Sequence, residues 1–338
     1  MQSWQVTLQK SSDIVNKKLR SFLLSLVFTV LISYILLVNI SLKSLLQIFR
    51  DFPVGLLLLV MLLHFSAYIF RTVTFYIFFK KEHKISFWYL LNVHFIHNFY
   101  VHIIPASLGE FSFPILLKNR IKPEETIPVL FVSRLFFLFV SIVMFIVAVI
   151  VNFRLFSNVK IDFKQYLAIG ALVIIPVVLI YFFRGRIITV FKNISLFKKF
   201  KVRIKETLSN TKFEFLKLKN PRFLITILFF NVINIFVLTL TYKLILHGMN
   251  LDLNLLQIIF ISSIGIAFIL LPIKSIGGFG TTEGAWAIGM LLLGFNKEIS
   301  ISSGFTVHLI ALFNVAIFFC IGFLFKKLSD RNYKTEWK

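Results

Sequence analysis

Residues 105–110 read Pro105-Ala-Ser-Leu-Gly-Glu110, and residues 272–283 read Pro272-Ile-Lys-Ser-Ile-Gly-Gly-Phe-Gly-Thr-Thr-Glu283. Each stretch breaks a long apolar run with Pro and Gly, residues that stop helices. Each ends on a carboxylate followed by further apolar sequence, 111–117 and 284–295. Of the 14 Asp+Glu in the chain, only Glu110 and Glu283 fall within apolar stretches. An ionisable side chain at membrane depth is costly and marks function by default. The breaks, at Pro105 and Gly109 and at Pro272, Gly277, Gly278 and Gly280, therefore divide 86–117 and 253–295 into broken hairpins.

Outward from these breaks, the chain is a series of apolar segments. A helix needs roughly 20 apolar residues to cross a bilayer. The stretches 22–40, 52–79, 126–153, 165–183, 222–246 and 299–325 meet that length. The first is too long, and lacks the small-residue cleavage site, for a signal peptide. Of the 338 residues, 58% are apolar, 17% aromatic and only 15% charged, and the mean hydropathy is +0.88. Soluble domains are nearer 25% charged, so a soluble enzyme, a nucleic-acid-binding domain and a disordered chain are excluded. The single Cys, Cys320, can form neither an internal disulfide nor a metal cluster.

The net charge of +23 serves as a topology signal, because basic residues favour cytoplasmic loops. The loop 184–222 holds twelve Lys+Arg against two acids, and the tail 326–338 adds five basics. With Lys81 and Lys118–Lys122 also cytoplasmic, 86–117 must enter and return on one side. The same parity makes 253–295 a second re-entrant segment, from the outside. This assignment leaves 27 basic residues inside, six outside and four at membrane depth. The expected organisation is a cytoplasmic arm 1–21, a first repeat 22–153, an external loop 154–164, a second repeat 165–325 and a cytoplasmic tail 326–338. The basic, apolar-alternating segment 184–221 reads as amphipathic helix on the inner leaflet. The fold expected is all-α and polytopic: six full spans and two broken hairpins in an inverted-topology repeat. Many transporters are built this way, with sites where broken helices meet. Localisation follows as the inner (cytoplasmic) membrane, multi-pass, with both termini cytoplasmic.

Ser107-x-x-Glu110 has capping-box spacing, and Gly280-x-x-Glu283 repeats it with Gly as the cap. Each Glu is thus either a helix cap alone or a cap that also contacts substrate or proton. Among the basic residues at depth, Arg71 and Lys243 lie near span ends and are expected to snorkel to the interface. Arg134 stands 24 residues after Glu110, and His308 stands 25 after Glu283. That matched spacing suggests a repeated counter-ion or phosphate contact, with Lys274 in the second break within reach of a headgroup. Asn98 is expected to hydrogen-bond the broken backbone. His94 and His97 share a helix face, but without Cys or a second carboxylate they read as polar packing and not as a metal site. Gly277-Gly278-Phe-Gly280 follows no strand and is not a nucleotide loop. No cofactor is expected.

These two motifs resemble the flippase-like transmembrane family typified by the membrane domain of lysylphosphatidylglycerol synthases. The first family motif, an Asn, a Pro and a Gly-Glu, is matched by Asn98, Pro105, Gly109 and Glu110, and its following Arg by Arg134. The second, a Pro, a Gly-rich stretch and a Glu, is matched by Pro272, Gly277, Gly278, Gly280 and Glu283. Departures are Ser112-Phe113-Pro114 after the first Gly-Glu, Thr282 before the second Glu, and Phe136-Phe137 after Arg134. The sequence shows no aminoacyl-transfer domain, so the resemblance implies lipid translocation and not lipid synthesis. The implied partners are membrane lipids, anionic or zwitterionic; a homo-oligomer stays open. Two other readings stand beside it: a lipid-modifying membrane enzyme with Glu110 as base beside His97 or His102, and a non-catalytic accessory subunit.

Overall fold

The computed structural model describes residues 42–80, 82–104, 108–158, 209–211, 213–269 and 275–336, together with Val27, Val30 and Tyr34. The expected span 165–183, all of the expected span 22–40 but those three residues, most of the segment 184–221, and Pro105, Pro272 and Lys274 lie outside the described residues. The principal elements are α1 (Leu42–Asp51), α2 (Val54–Phe79), α3 (Phe87–Ile103), a 3-10 turn (Leu108–Phe111), α4 (Ser112–Leu117) and α5 (Pro123–Asn158). They continue with α6 (Pro221–Gly248), α7 (Leu255–Ile269), a second 3-10 turn (Ile276–Gly278), α8 (Thr281–Leu292) and α9 (Lys297–Glu336). No strand occurs among the described residues. Helices α2 and α6, with Pro123–Val151 of α5 and Lys297–Leu328 of α9, are long and apolar enough to cross a membrane. Large apolar side chains such as Leu58, Phe139, Ile150 and Ile225 point outward. Soluble proteins rarely expose so much contiguous apolar surface. The chain is an all-α, polytopic membrane protein.

Local sequence sets the helix ends. Pro221 takes the first position of α6, where its missing N–H costs nothing, and the Asn220 side chain accepts from Arg222 N at 3.0 Å. Asn254 and Gln257 exchange hydrogen bonds at 2.9 Å each, a reciprocal cap on α7. The Asn296 side chain accepts from Ile299 N at 2.8 Å to start α9.

Two ends of the bundle can be told apart. At one, His83 Nε2 lies 2.9 Å from Glu125 Oε2, and Lys217 Nζ bridges Glu82 and Glu214 at 2.6 and 2.8 Å. Helix α3 leaves from this end. The chain is back there by Leu117 and Ile121, which share a core with Phe79, Ile85 and Tyr89. At the opposite end, Phe52, Leu253 and Met290 share a core, with Leu251, Leu293 and Phe295 packed on it. There α7 departs and α8 returns. Segments 86–117 and 253–295 therefore dip in from opposite ends, and α2 joins those ends.

The packing crosses between halves. Helices α2 and α6 run antiparallel, with Phe70 on Phe230 and Phe78 on Phe223 at ring separations of 6.3 and 5.2 Å. Helix α3 lies along α9, where Phe99 stacks on Phe319 at 4.1 Å. Helix α7 lies along α5, where Phe145 stacks on Phe260 at 5.7 Å. The first hairpin arm of each half thus packs on the last helix of the other. Exchanging the halves maps one contact onto the other, as an inverted repeat requires.

Small residues allow the closest crossings. A Cβ on Gly322 would sit 2.8 Å from the Asn92 carbonyl oxygen. A Cβ on Gly109 would collide with the Tyr100 carbonyl and Val101 Cα, all backbone atoms that cannot yield. Gly109→Ala is expected to destabilise the protein by about 1–3 kcal/mol, read as a lowered melting temperature in detergent. Cysteines placed at Lys84 and Lys118, in a Cys320→Ser background, should react with an impermeant thiol reagent from one face of the membrane. Cysteines at Asn250 and Asn296 should react from the other. Labelling of Lys84 and Lys118 positions from opposite faces would contradict the hairpin.

Candidate functional site

Glu110 is delivered by the first 3-10 turn to Arg134, eleven residues into α5. At 1.5 Å per residue that is about 16 Å from the helix start. Arg134 Nη2 donates to Glu110 Oε1 and Oε2 at 2.7 and 2.8 Å, and Nε donates to Oε2 at 3.3 Å. A forked guanidinium–carboxylate contact of this kind is among the strongest hydrogen-bonded pairs. His97 stands behind it, with Nε2 3.5 Å from Glu110 Oε2 and Nδ1 2.8 Å from Ser112 Oγ. Glu110 is therefore held by Arg134, in a 3-10 turn and not at the start of a long helix.

Asn98 lies on the face of α3 turned to α2, and residues 105–107 of the break lie outside the described residues. Asn98 Nδ2 donates to the Tyr68 hydroxyl, and its Oδ1 accepts from Arg71 Nη1 at 3.4 Å. Arg71 does not snorkel. Tyr68, Arg71 and Thr72 share one face of α2, and that face is turned to α3, where Thr72 Oγ1 lies 3.1 Å from His94 Nδ1. Arg71 thus has a polar partner on α3 within the bundle.

In the second half, Glu283 is completely buried. It occupies the third position of α8, where Oε2 accepts from Gly280 N at 2.7 Å. Its other oxygen lies 2.7 Å from His308 Nδ1, within hydrogen-bond distance. Glu283 is thus both cap and partner of His308. His308 lies eleven residues into α9, the same depth as Arg134 in α5. Gly277, Gly278 and Gly280 have φ of 67°, 77° and 82°, a left-handed region that glycine alone enters freely. Gly304 lets α9 approach the Glu283 backbone, since a Cβ there would be 3.1 Å from the Glu283 carbonyl oxygen.

A cavity of about 250 Å³ lies between the halves. From the first half it is lined by His102 and Phe137; from the second, by Gly277, Gly278, Thr281, Thr282 and His308 among others. His308 Nε2 is buried without a hydrogen-bond partner, next to Gly278. The two acid pairs differ in access: the Glu110 and Arg134 side chains are 29% and 33% exposed, against 0% and 3% for Glu283 and His308. The structure thus brings Glu110 to Arg134, Glu283 to His308 and Asn98 to Arg71. No group of three or more His, Cys, Asp or Glu is placed to hold a metal among the described residues.

Tyr68, Asn231 and Asn234 were not singled out by sequence, and Arg71 was read only as an interfacial residue. The signal was present as polar residues at helical spacing, 68-71-72 on α2 and 231-234 on α6. Neither a curated protein nor a solved structure matches the chain. The sequence profile of the lysylphosphatidylglycerol synthase TM region matches residues 22–318, taking in both broken hairpins and both acid pairs, and the chain belongs to that family.

Proposed function

We propose that this protein moves the polar headgroup of a membrane lipid between leaflets. The observation that carries the reading is the matched pair of carboxylates, brought by hairpins from opposite ends to partners at equal helix depth. A headgroup crossing an apolar core must exchange hydration for fixed polar groups. The cavity supplies the Thr281, Thr282 and His308 side chains and the glycine backbone beside apolar walls that suit acyl chains. Glu110, Arg134, Glu283 and His308 are the residues assigned to headgroup contact, Asn98 holds Arg71, and Lys274 stands in the second break. Family membership supports a role in lipid handling. The Lys80 end, with its basic loops, faces the cytoplasm in this reading.

The enzyme reading has one geometric argument, the contact of Ser112 with His97 beside Glu110. Ser112 is buried and does not line the cavity between the halves, and the Glu110 carboxylate is committed to Arg134. Translocation fits the geometry better.

Purified protein in vesicles carrying fluorescent phospholipid, with an impermeant quencher, should show leaflet exchange. Glu110→Gln and Glu283→Gln should each slow it by about tenfold or more, the loss of one charged hydrogen bond in the rate-limiting state. Exchange equal to wild type in both folded variants would overturn the assignment. Chemically altered lipid would favour the enzyme, and no exchange of any lipid the accessory subunit.

A further inference from the structure

We infer that the cavity between the halves selects an uncharged sugar ring, so that the lipid it takes is a glycolipid whose head carries no phosphate. The inference deepens the translocation reading and takes from it only that the ligand is a lipid. The cavity measures about 250 Å³ on the scale by which one water needs roughly 10–15 Å³, so it admits a ring and not merely a solvent molecule. Among the described residues, no Asp, Glu, Lys or Arg lines it. Glu110 and Arg134 lie outside its wall, and Glu283 is completely buried against the other nitrogen of the His308 ring. A charged group entering this cavity would leave water without meeting a counter-ion, which is strongly unfavourable.

The polar atoms of the wall call for hydroxyls. His308 is 3% exposed, and its Nε2 is buried with no hydrogen-bond partner. Buried polar atoms are nearly always satisfied, so this nitrogen marks a place for a ligand atom. It donates or accepts according to the tautomer, and a hydroxyl answers either. Ser262 Oγ donates to the Ile259 carbonyl oxygen at 3.1 Å, and Thr281 Oγ1 donates to that of Gly278 at 3.0 Å. With their protons engaged, these two lining oxygens can only accept. A phosphate oxygen or a choline brings them no proton, and an ammonium brings protons with a charge the wall does not balance. Several hydroxyls on one uncharged group satisfy the whole set. A glycerol headgroup has hydroxyls too, but it holds its phosphate a few bonds away, against the same uncharged wall. The rings of Tyr242 and Trp286, edge to face at 5.4 Å, also line the cavity and give the C–H groups of a sugar an aromatic surface to pack on. Gly278 leaves the imidazole uncovered, since a Cβ there would lie 3.4 Å from Nε2.

The test is thermal unfolding of the purified full chain, in a detergent whose head is neither a sugar nor a phosphate, titrated with three short-chain probes. These are the glucoside of dihexanoylglycerol, dihexanoylphosphatidylglycerol and dihexanoylphosphatidylcholine. The glucoside should raise the midpoint, with an apparent affinity about tenfold or more above that of either phospholipid. Gly265→Leu tests the cavity itself. A Cβ at Gly265 meets nothing within 4 Å, so a side chain there takes up cavity space while the ligand-free protein stays folded. This variant should weaken glucoside binding by about tenfold or more. Ser262→Ala, which removes one acceptor, should weaken it by about fivefold. Equal shifts with all three probes, no shift with the glucoside, or binding by folded Gly265→Leu equal to wild type would each overturn the inference. Leaflet exchange in vesicles separates it from the translocation reading. Glucoside-selective binding without exchange would sink translocation and uphold the site. Exchange of glucosyl and choline lipids at equal rates would sink the sugar selectivity and leave translocation standing.

Discussion

A carboxylate inside a lipid-embedded bundle has to be met by a partner, and that constraint organises this protein. Glu110 and Glu283 cannot stay ionised among apolar side chains unless hydrogen bonds and a positive or polarisable group surround them. Each is placed just after a chain break and is met by a residue eleven positions into the helix that closes its half. The breaks follow from this. A continuous helix through 86–117 would not bring a turn backbone and its Glu against α5, and the three positive-φ glycines before Glu283 make the second approach. The crossed packing, α3 on α9 and α7 on α5, then locks each hairpin onto the opposite half.

The two halves solve the same problem with different chemistry. Arg134 is always charged and forks onto Glu110, so the first pair is a fixed ion pair with a partly exposed face. The second pair joins a carboxylate to an imidazole and is sealed. Arg71 adds a second guanidinium to the first half only.

Much of this was legible in the sequence. The positions of Glu110 and Glu283 in apolar runs and the Pro and Gly breaks pointed to the hairpins, and the spacings to Arg134 and His308 to a counter-ion or phosphate contact, of which the structure shows the contact with each Glu. Hydropathy locates a residue along a span but not on which face it lies. Arg71 therefore read as a residue near a span end, when its face, shared with Tyr68 and Thr72, turns it toward Asn98 and His94. The contact of Asn98 with α2 was not legible either, for the same reason. Long-range contacts of this kind depend on how α2 and α3 pack, which no local pattern encodes.

The most direct test of the central claim is the depth of the two hairpin turns in a bilayer. Spin labels at Leu108 and Thr282, both at exposed positions, can be compared with labels at Lys84 and Asn250 by oxygen and nickel accessibility. Labels at the two turns should lie deep in the hydrocarbon, at similar distances from opposite surfaces, with the other two at the interfaces. A label at Leu108 or Thr282 reporting bulk-aqueous contact on an intact protein would contradict the account.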